Sequence, residues 1–262
     1  MISLARRDGR VLRIGHRGAA ALAPENTLAS FRAAAAAGVD LIEFDVLALR
    51  RGDVVVAHSH DLHEVSHGAA RGTLRTMELD EIRAVCPALP TLEEALEFFA
   101  DADGPGPHVD VKSARAGIDV VAALRRHGLV ERTLVSSFHR GMLRRLTGFE
   151  PRLRLGVSFP RDLLGLEGRR GSSAAVGGGL RALRRATPGL VGFLLARSGA
   201  SALVLHHALV TASSVRSAHS RGAPVVAWTV DDRRELERVD EAGVDAVVTN
   251  DPSIFVSTLE VS

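Results

Sequence analysis

The sequence predicts a (β/α)8 barrel, on three observations. Short apolar, β-branched runs recur along the chain, each followed by an alanine- and arginine-rich stretch with helical spacing; single strands alternating with single helices make βα units around a parallel sheet. About eight such units fit in the chain, the number a closed barrel requires. No glycine-rich dinucleotide fingerprint follows the first strand, which disfavours the doubly wound sheet that shares this pattern.

The first strand is expected over Val11–Ile14 and the first helix over Thr27–Ala37, which Gly38 ends as a left-handed cap. Apolar runs over Val39–Val46 and Val54–Ala57 read as strands. His60–Pro90 has no clear strand–helix repeat, although Met77–Val85 is helical in pattern, and it reads as a small insertion on a barrel that takes residues 1–262 as one domain. A helix over Leu92–Ala100, a strand over His108–Val111 and a helix over Ile118–His127 follow, the last ended by Gly128. Further strands are expected over Thr133–Ser136, Leu153–Val157, Gly192–Leu195, Ala202–Leu205, Val225–Val230 and Ala246–Thr249. The helices between them are Met142–Thr147, Leu180–Ala186, Ser213–Ser220 and Arg233–Glu241, with Gly222 and Gly243 closing the last two. Gly165–Gly179, rich in glycine and serine, reads as a loop over one end.

Composition narrows the function classes. Charged residues at 24% and hydrophobic residues at 46% describe a globular chain, and no apolar run approaches the roughly 20 residues needed to cross a bilayer. Met1–Arg13 lacks the apolar core of a secretory signal, so a cytoplasmic location is expected. Cys86 is the only cysteine, which excludes an internal disulfide framework and a multi-cysteine zinc site. Eleven arginines against three acidic residues make 140–185 strongly basic. The favoured reading is a solvated helix face, the other an electrostatic guide for an anionic substrate. Nucleic acid is not an expected partner, since aromatics are 4% and tyrosine is absent. Oligomeric state cannot be read.

In a parallel barrel the chemistry collects where strands end, and here each early strand ends in ionisable groups. The first runs into His16 and Arg17, the second carries Glu43 and Asp45, the Val54–Ala57 run ends at His58, and the next carries Asp110 and leads to Lys112. Glu43 and Asp45, two apart, project from one face while Ile42, Phe44 and Val46 face the helices. Two carboxylates in a barrel mouth repel unless a cation or a proton lies between them. A divalent ion with oxygen ligands, Mg2+ or Ca2+, answers this; an arginine-paired couple is the alternative. Asp110 adds a third carboxylate. Lys112, the one lysine among 33 basic residues, suits a compact charge on a phosphoryl oxygen. His16 and His58 suit a general base and acid near neutral pH, and Arg17 suits bidentate phosphate binding.

These residues carry a resemblance. Ile14–Gly18 (IGHRG), Pro24-Glu25-Asn26-Thr27, Phe31, Gly38-Val39-Asp40, Glu43-x-Asp45, Gly52 and His58 resemble the opening signature of glycerophosphodiester phosphodiesterases. Pro90–Glu94, Val109–Lys112, Ser136–Phe138, Trp228–Val230 and Gly243 through Pro252 extend it over nearly the whole chain. The resemblance implies a TIM barrel with a short insertion after the second barrel strand, and metal-dependent hydrolysis of a small-molecule phosphodiester to an alcohol and glycerol 3-phosphate. It implies His16 and His58 as the acid–base pair, Glu43, Asp45 and Asp110 as ligands of one divalent cation, Arg17 and Lys112 as phosphate contacts, and Trp228 as a wall near the departing alcohol or a core residue. Glu25 and Asn26 are read as shaping the first loop and the start of its helix.

The sequence departs from the pattern twice. Asp110 stands where the family usually has glutamate, and His58 is followed by Ser59-His60-Asp61 rather than directly by aspartate. Spacing from Asp45 and the trailing Leu62 favour His58 over His60 as the second histidine. Two other functions fit the same barrel: a lysophospholipase D-type lipid phosphodiesterase, which needs an apolar channel that an aromatic-poor chain does not advertise, and a catalytically silent phosphodiester- or polyanion-binding barrel.

Overall fold

A computed structural model describes residues 1–161 and 174–255, with the side chains of 174–177 left aside. Eight strands lie parallel: β1 (Leu12–Gly15), β2 (Leu41–Ala48), β4 (Gly106–Val111), β5 (Leu134–Ser137), β6 (Arg154–Phe159), β7 (Ala202–His206), β8 (Val225–Trp228) and β9 (Ala246–Thr249). They follow one another around a ring that the β1–β2 pairing, Ile14 with Leu41 and Gly15 with Ile42, closes. The barrel is the one expected.

β3 (Val54–Val56) is not a stave. It runs antiparallel to the end of β2, pairing Val46 with Val56, and so returns the chain over the mouth. The insertion follows it with two short helices, α2 (Leu62–Val65) and α3 (Leu79–Val85). They pack over Leu47, Val55, Leu62, Leu74, Ile82 and Leu89, a cluster separate from the barrel's own.

The other helices sheathe the barrel: α1 (Leu28–Ala36), α4 (Leu92–Glu97), α5 (Gly117–Arg126), α6 (Arg140–Phe149), α7 (Ala174–Ser198), α8 (Ala212–His219) and α9 (Arg233–Glu241). Their starts are written in the sequence. Thr27, Thr91 and Thr211 each accept a hydrogen bond from a backbone N–H of the first turn as side-chain caps. Gly38, Gly128, Gly222 and Gly243 all take positive φ at the far ends, as expected of left-handed caps. Between sheet and sheath lies the main core. Phe31 of α1 meets Phe44 of β2 at 5.2 Å between ring centroids, and Phe99, following α4, stacks on Phe44 at 5.8 Å. Inside the barrel a second cluster of Leu12, Ile14, Leu41, Leu134, Val226 and Val248 fills the lumen, with Leu4 joining it. Ile42, Phe44 and Val46 face outwards as expected, so Glu43 and Asp45 are left facing in.

Two expectations fail. Gly192–Leu195 is no strand but part of α7. Its neighbours Thr187, Val191, Leu194, Leu195 and Ser198 are buried at steps of three and four while Phe193 is 55% exposed, which is helical burial; leucine and alanine propensity outweigh the short apolar run. The Gly165–Gly179 loop is helical from Ala174 onward, and its part up to residue 173 lies outside the described residues. In the basic segment, Arg140, Arg144, Arg145, Arg181, Arg184 and Arg185 lie on exposed faces of α6 and α7, as the preferred reading has it.

Candidate active site

The first functional turn is forced by its glycines. At Gly15 a Cβ would lie 2.2 Å from the Gly18 carbonyl oxygen, and at Gly18, with φ +87°, one would lie 2.2 Å from Ser30 Oγ. Chain and α1 are therefore in direct contact, and Arg17 between them takes a left-handed φ of 49°, uncommon for a side-chain-bearing residue. This places His16 at the end of β1. Its Nδ1 lies 2.7 Å from Asn250 Oδ1, and Asn250 donates in turn to Asp231 at 2.7 Å. An Nδ1–H given to Asn250 leaves Nε2 as the ring's acceptor. Burial, helped by the charge of Arg17, pushes the His16 ring down to about 4, so it is neutral at neutral pH.

Glu43, Asp45 and Asp110 come together as expected: one carboxylate oxygen from each lies within 4.8 Å of the others, and all three residues are buried. Asp45 is held from every side. Its Oδ1 pairs with Lys112 Nζ at 2.8 Å and its Oδ2 with Arg17 Nε at 3.1 Å. Asn26 donates to Oδ2 at 3.0 Å while accepting the Asp45 backbone N–H at 3.1 Å. Burial alone would raise this carboxyl, but Lys112, Arg17 and His58 hold it well below the usual carboxylate range. Glu43 moves the other way: burial first, then repulsion from Asp45, push it well above that range. Its contacts are the Arg17 backbone N–H at 2.9 Å and the His16 ring at 3.9 Å. Asp110 accepts from Ser136 Oγ at 2.6 Å and pairs with Lys112 at 2.7 Å. Burial opposes the Lys112 charge, yet Asp110, Asp45 and Glu43 raise its basicity.

His58, not His60, reaches this cluster. Its Nδ1 lies 3.1 Å from Asp45 Oδ2 and 2.9 Å from Arg17 Nη2. One is an acceptor and the other a donor, so the ring finds a partner whether Nδ1 carries a proton or not. His60 is not among the residues lining the pocket. Arg17 also donates to Glu25 at 2.7 Å, so its guanidinium joins the first loop, the second histidine and the central carboxylate. Trp228 does line the pocket, with Phe138 edge-on to it at 5.8 Å between centroids and its indole N–H on the Val204 carbonyl at 3.3 Å.

Sequence reading missed some residues. Asn26, taken as a loop residue, orients Asp45 from a left-handed φ of 57°. His108 donates to or accepts from Ser136 at 2.9 Å, one step behind Asp110; the alternation that joined Asp110 to Lys112 extends back to it. Asn250 and Asp231 carried no signal beyond their place near the closing motif.

A family model described as the glycerophosphoryl diester phosphodiesterase family matches residues 16–254. The chain belongs to that family. It is thereby a phosphoric diester hydrolase of the glycerophosphodiester class. A glycerophosphodiester phosphodiesterase from Caldanaerobacter subterraneus is 27% identical over 264 residues, covering 95% of this chain and 97% of that protein. One from Arabidopsis thaliana is 28% identical over 94% of this chain and 72% of its own length. Among solved structures, a Silicibacter pomeroyi chain bearing the family's name is 27% identical with a TM-score of 0.77, covering 96% of this chain and 93% of its own. An Oleispira antarctica phosphodiesterase, solved with the product sn-glycerol-3-phosphate, is 22% identical with a TM-score of 0.70 and coverage of 92% and 93%. Among the described residues no helix is long and apolar enough to cross a membrane.

The residues present fit a hard divalent cation. Three buried carboxylates face two cationic side chains, and among the described residues the Glu43 carboxylate meets no cationic side chain, only the ring of His16, which is neutral at neutral pH. An all-oxygen set with one charge unmatched is what Mg2+ or Ca2+ selects.

Proposed function

We propose that this protein hydrolyses glycerophosphodiesters to an alcohol and sn-glycerol 3-phosphate, with His16 as general base and His58 as general acid. The observation that carries the reading is the convergence of two imidazoles, from just past β1 and β3, on three carboxylates of β2 and β4, with His16, His58, Glu43 and Asp110 lining one pocket. The product-bound Oleispira relative supports the product assignment.

His16 is neutral and its Nδ1 is tied to Asn250, so at Nε2 it takes the proton of the attacking hydroxyl, that of water or that of the glycerol itself, whose cyclic phosphate water then opens. His58, its Nδ1 held on Asp45, delivers its Nε2 proton to the leaving alkoxide. Lys112, and the N–H groups of Arg17 not already donated, face the non-bridging oxygens as charge builds there. Trp228 and Phe138 supply an apolar wall to the same pocket. Glu43, Asp45 and Asp110 would hold one Mg2+ or Ca2+, which when bound polarises the phosphoryl oxygens as a Lewis acid.

The test is product analysis with sn-glycero-3-phosphoethanolamine. The expected result is ethanolamine and sn-glycerol 3-phosphate, lost on chelation and restored by Mg2+ or Ca2+. Release of glycerol and phosphoethanolamine instead, or no turnover with any divalent ion, would sink the reading.

A further inference from the structure

A second, larger cavity adjoins the active site. It has a volume of about 580 Å3 and runs between the first loop with the start of α1 on one side and the insertion on the other. His58 lines both this groove and the catalytic pocket, so the second histidine is the residue at which the two adjoin. The walls are largely aliphatic, with Leu28, Ala29, Val65, Pro87, Ala88 and Leu89 among them. Its charged groups are mostly spoken for: Glu25 is held by Arg17 at 2.7 Å and Glu94 by Arg83. Glu64 and Arg32, of opposite sign, are exposed and solvated. Among the described residues no aromatic ring other than His58 and His67 borders the groove, so they form no cage of the kind a quaternary ammonium prefers.

We infer that this groove takes the leaving alcohol and selects alcohols with an extended aliphatic body. The inference rests on His58 being the general acid of the proposed reaction. A proton donor must lie within hydrogen-bond reach, about 2.6–3.2 Å, of the leaving oxygen, so the alcohol's first carbon stands beside His58. On the other side of that ring the space is taken by the carboxylates, Lys112 and the Trp228 wall, which face the phosphate and glycerol. The groove is the apolar space that begins at His58, and the alcohol is placed along it. A cavity of this size lies within the range of pockets that enclose drug-sized ligands, far more room than a methyl or ethyl group fills.

The test uses sn-glycero-3-phospho-n-alkanols from propyl to octyl, whose leaving groups have nearly the same acidity and differ only in length. For the unsubstituted enzyme kcat/KM should rise at least tenfold from propyl to octyl. Ala29→Trp and Ala88→Trp, both substituting exposed groove residues, should bring the octyl-to-propyl ratio down to about one. Cleavage of the propyl diester with a flat length profile would overturn the groove assignment and leave the phosphodiesterase reading standing, as would a length preference that survives both tryptophans. No cleavage of any member would overturn the phosphodiesterase reading itself, and the groove assignment with it.

Discussion

His16 and His58 are held by different means, and their substitutions should report that difference. His16 is fixed through Asn250 and Asp231, and His58 through Asp45 and Arg17. His16→Ala and His58→Ala should each lower kcat by around 10²–10⁴-fold, the usual worth of a positioned acid or base. His60→Ala should leave kcat within about twofold, because His60 does not border the pocket; an inactive His60→Ala beside an active His58→Ala would reverse the assignment. Asn250→Ala removes one hydrogen bond that selects the His16 tautomer, so kcat should fall roughly tenfold with little change in KM. Both histidines and the three carboxylates were legible because each ends or occupies a strand with the right alternation. Asn26, Asn250 and Asp231 were not. Their roles depend on contacts between segments 19 residues apart in two cases and 234 in the third, and no local pattern marks such partners.

Single elements show where periodicity suffices and where it does not. Every stave was legible, since a buried parallel strand is a short β-branched run. The stretch around Gly192 has the same length and hydrophobicity as a strand, and only the spacing of buried positions, set by α7 lying on the barrel, distinguishes it. β3 looked like a stave because its residues are as apolar as theirs; its direction is set by the tight return after β2. Between elements, Glu150 is the tie to test. Buried just past the end of α6, it accepts from Arg125 of α5 at 2.8 Å and Arg152 at 3.1 Å, which pull its carboxyl from 4.5 down to about 2. A carboxyl lowered on folding stabilises the fold above its unfolded value, and that contribution is lost as pH falls through the folded one. Glu150→Gln should therefore cost about 1 kcal/mol at neutral pH, seen as a Tm lowered by roughly 2–4 °C. The gap between the two proteins should close as pH drops from 4.5 to 2; a constant gap would mean that the arginine contacts are not its source.

At the scale of the whole molecule, the barrel gathers its buried acids at one end and is held together elsewhere. The lumen below is aliphatic and the sheath is apolar against the sheet, so the fold does not depend on the cluster. The cluster does work against it. Three carboxylates crowd within 4.8 Å of one another, and although Asp45 is matched by Lys112 and Arg17, burial and Asp45 make Glu43 costly to ionise beside them. An ion that binds this set in the folded chain and not in the unfolded one must stabilise the fold by mass action, by about 2.7 kcal/mol at a hundred times its Kd. Thermal melts with saturating Mg2+ or Ca2+ should then show a Tm raised by roughly 5–10 °C over the chelated protein. Glu43→Gln keeps the shape and removes the acid that an ion would hold ionised. Its Tm without the ion should equal or exceed that of the parent, and the response to the ion should shrink. The same melt on Glu150→Gln, far from the mouth, should keep the full response. A parent whose Tm ignores every divalent ion would mean that Lys112 and Arg17 already satisfy the three acids, and the cation would have no place in this barrel.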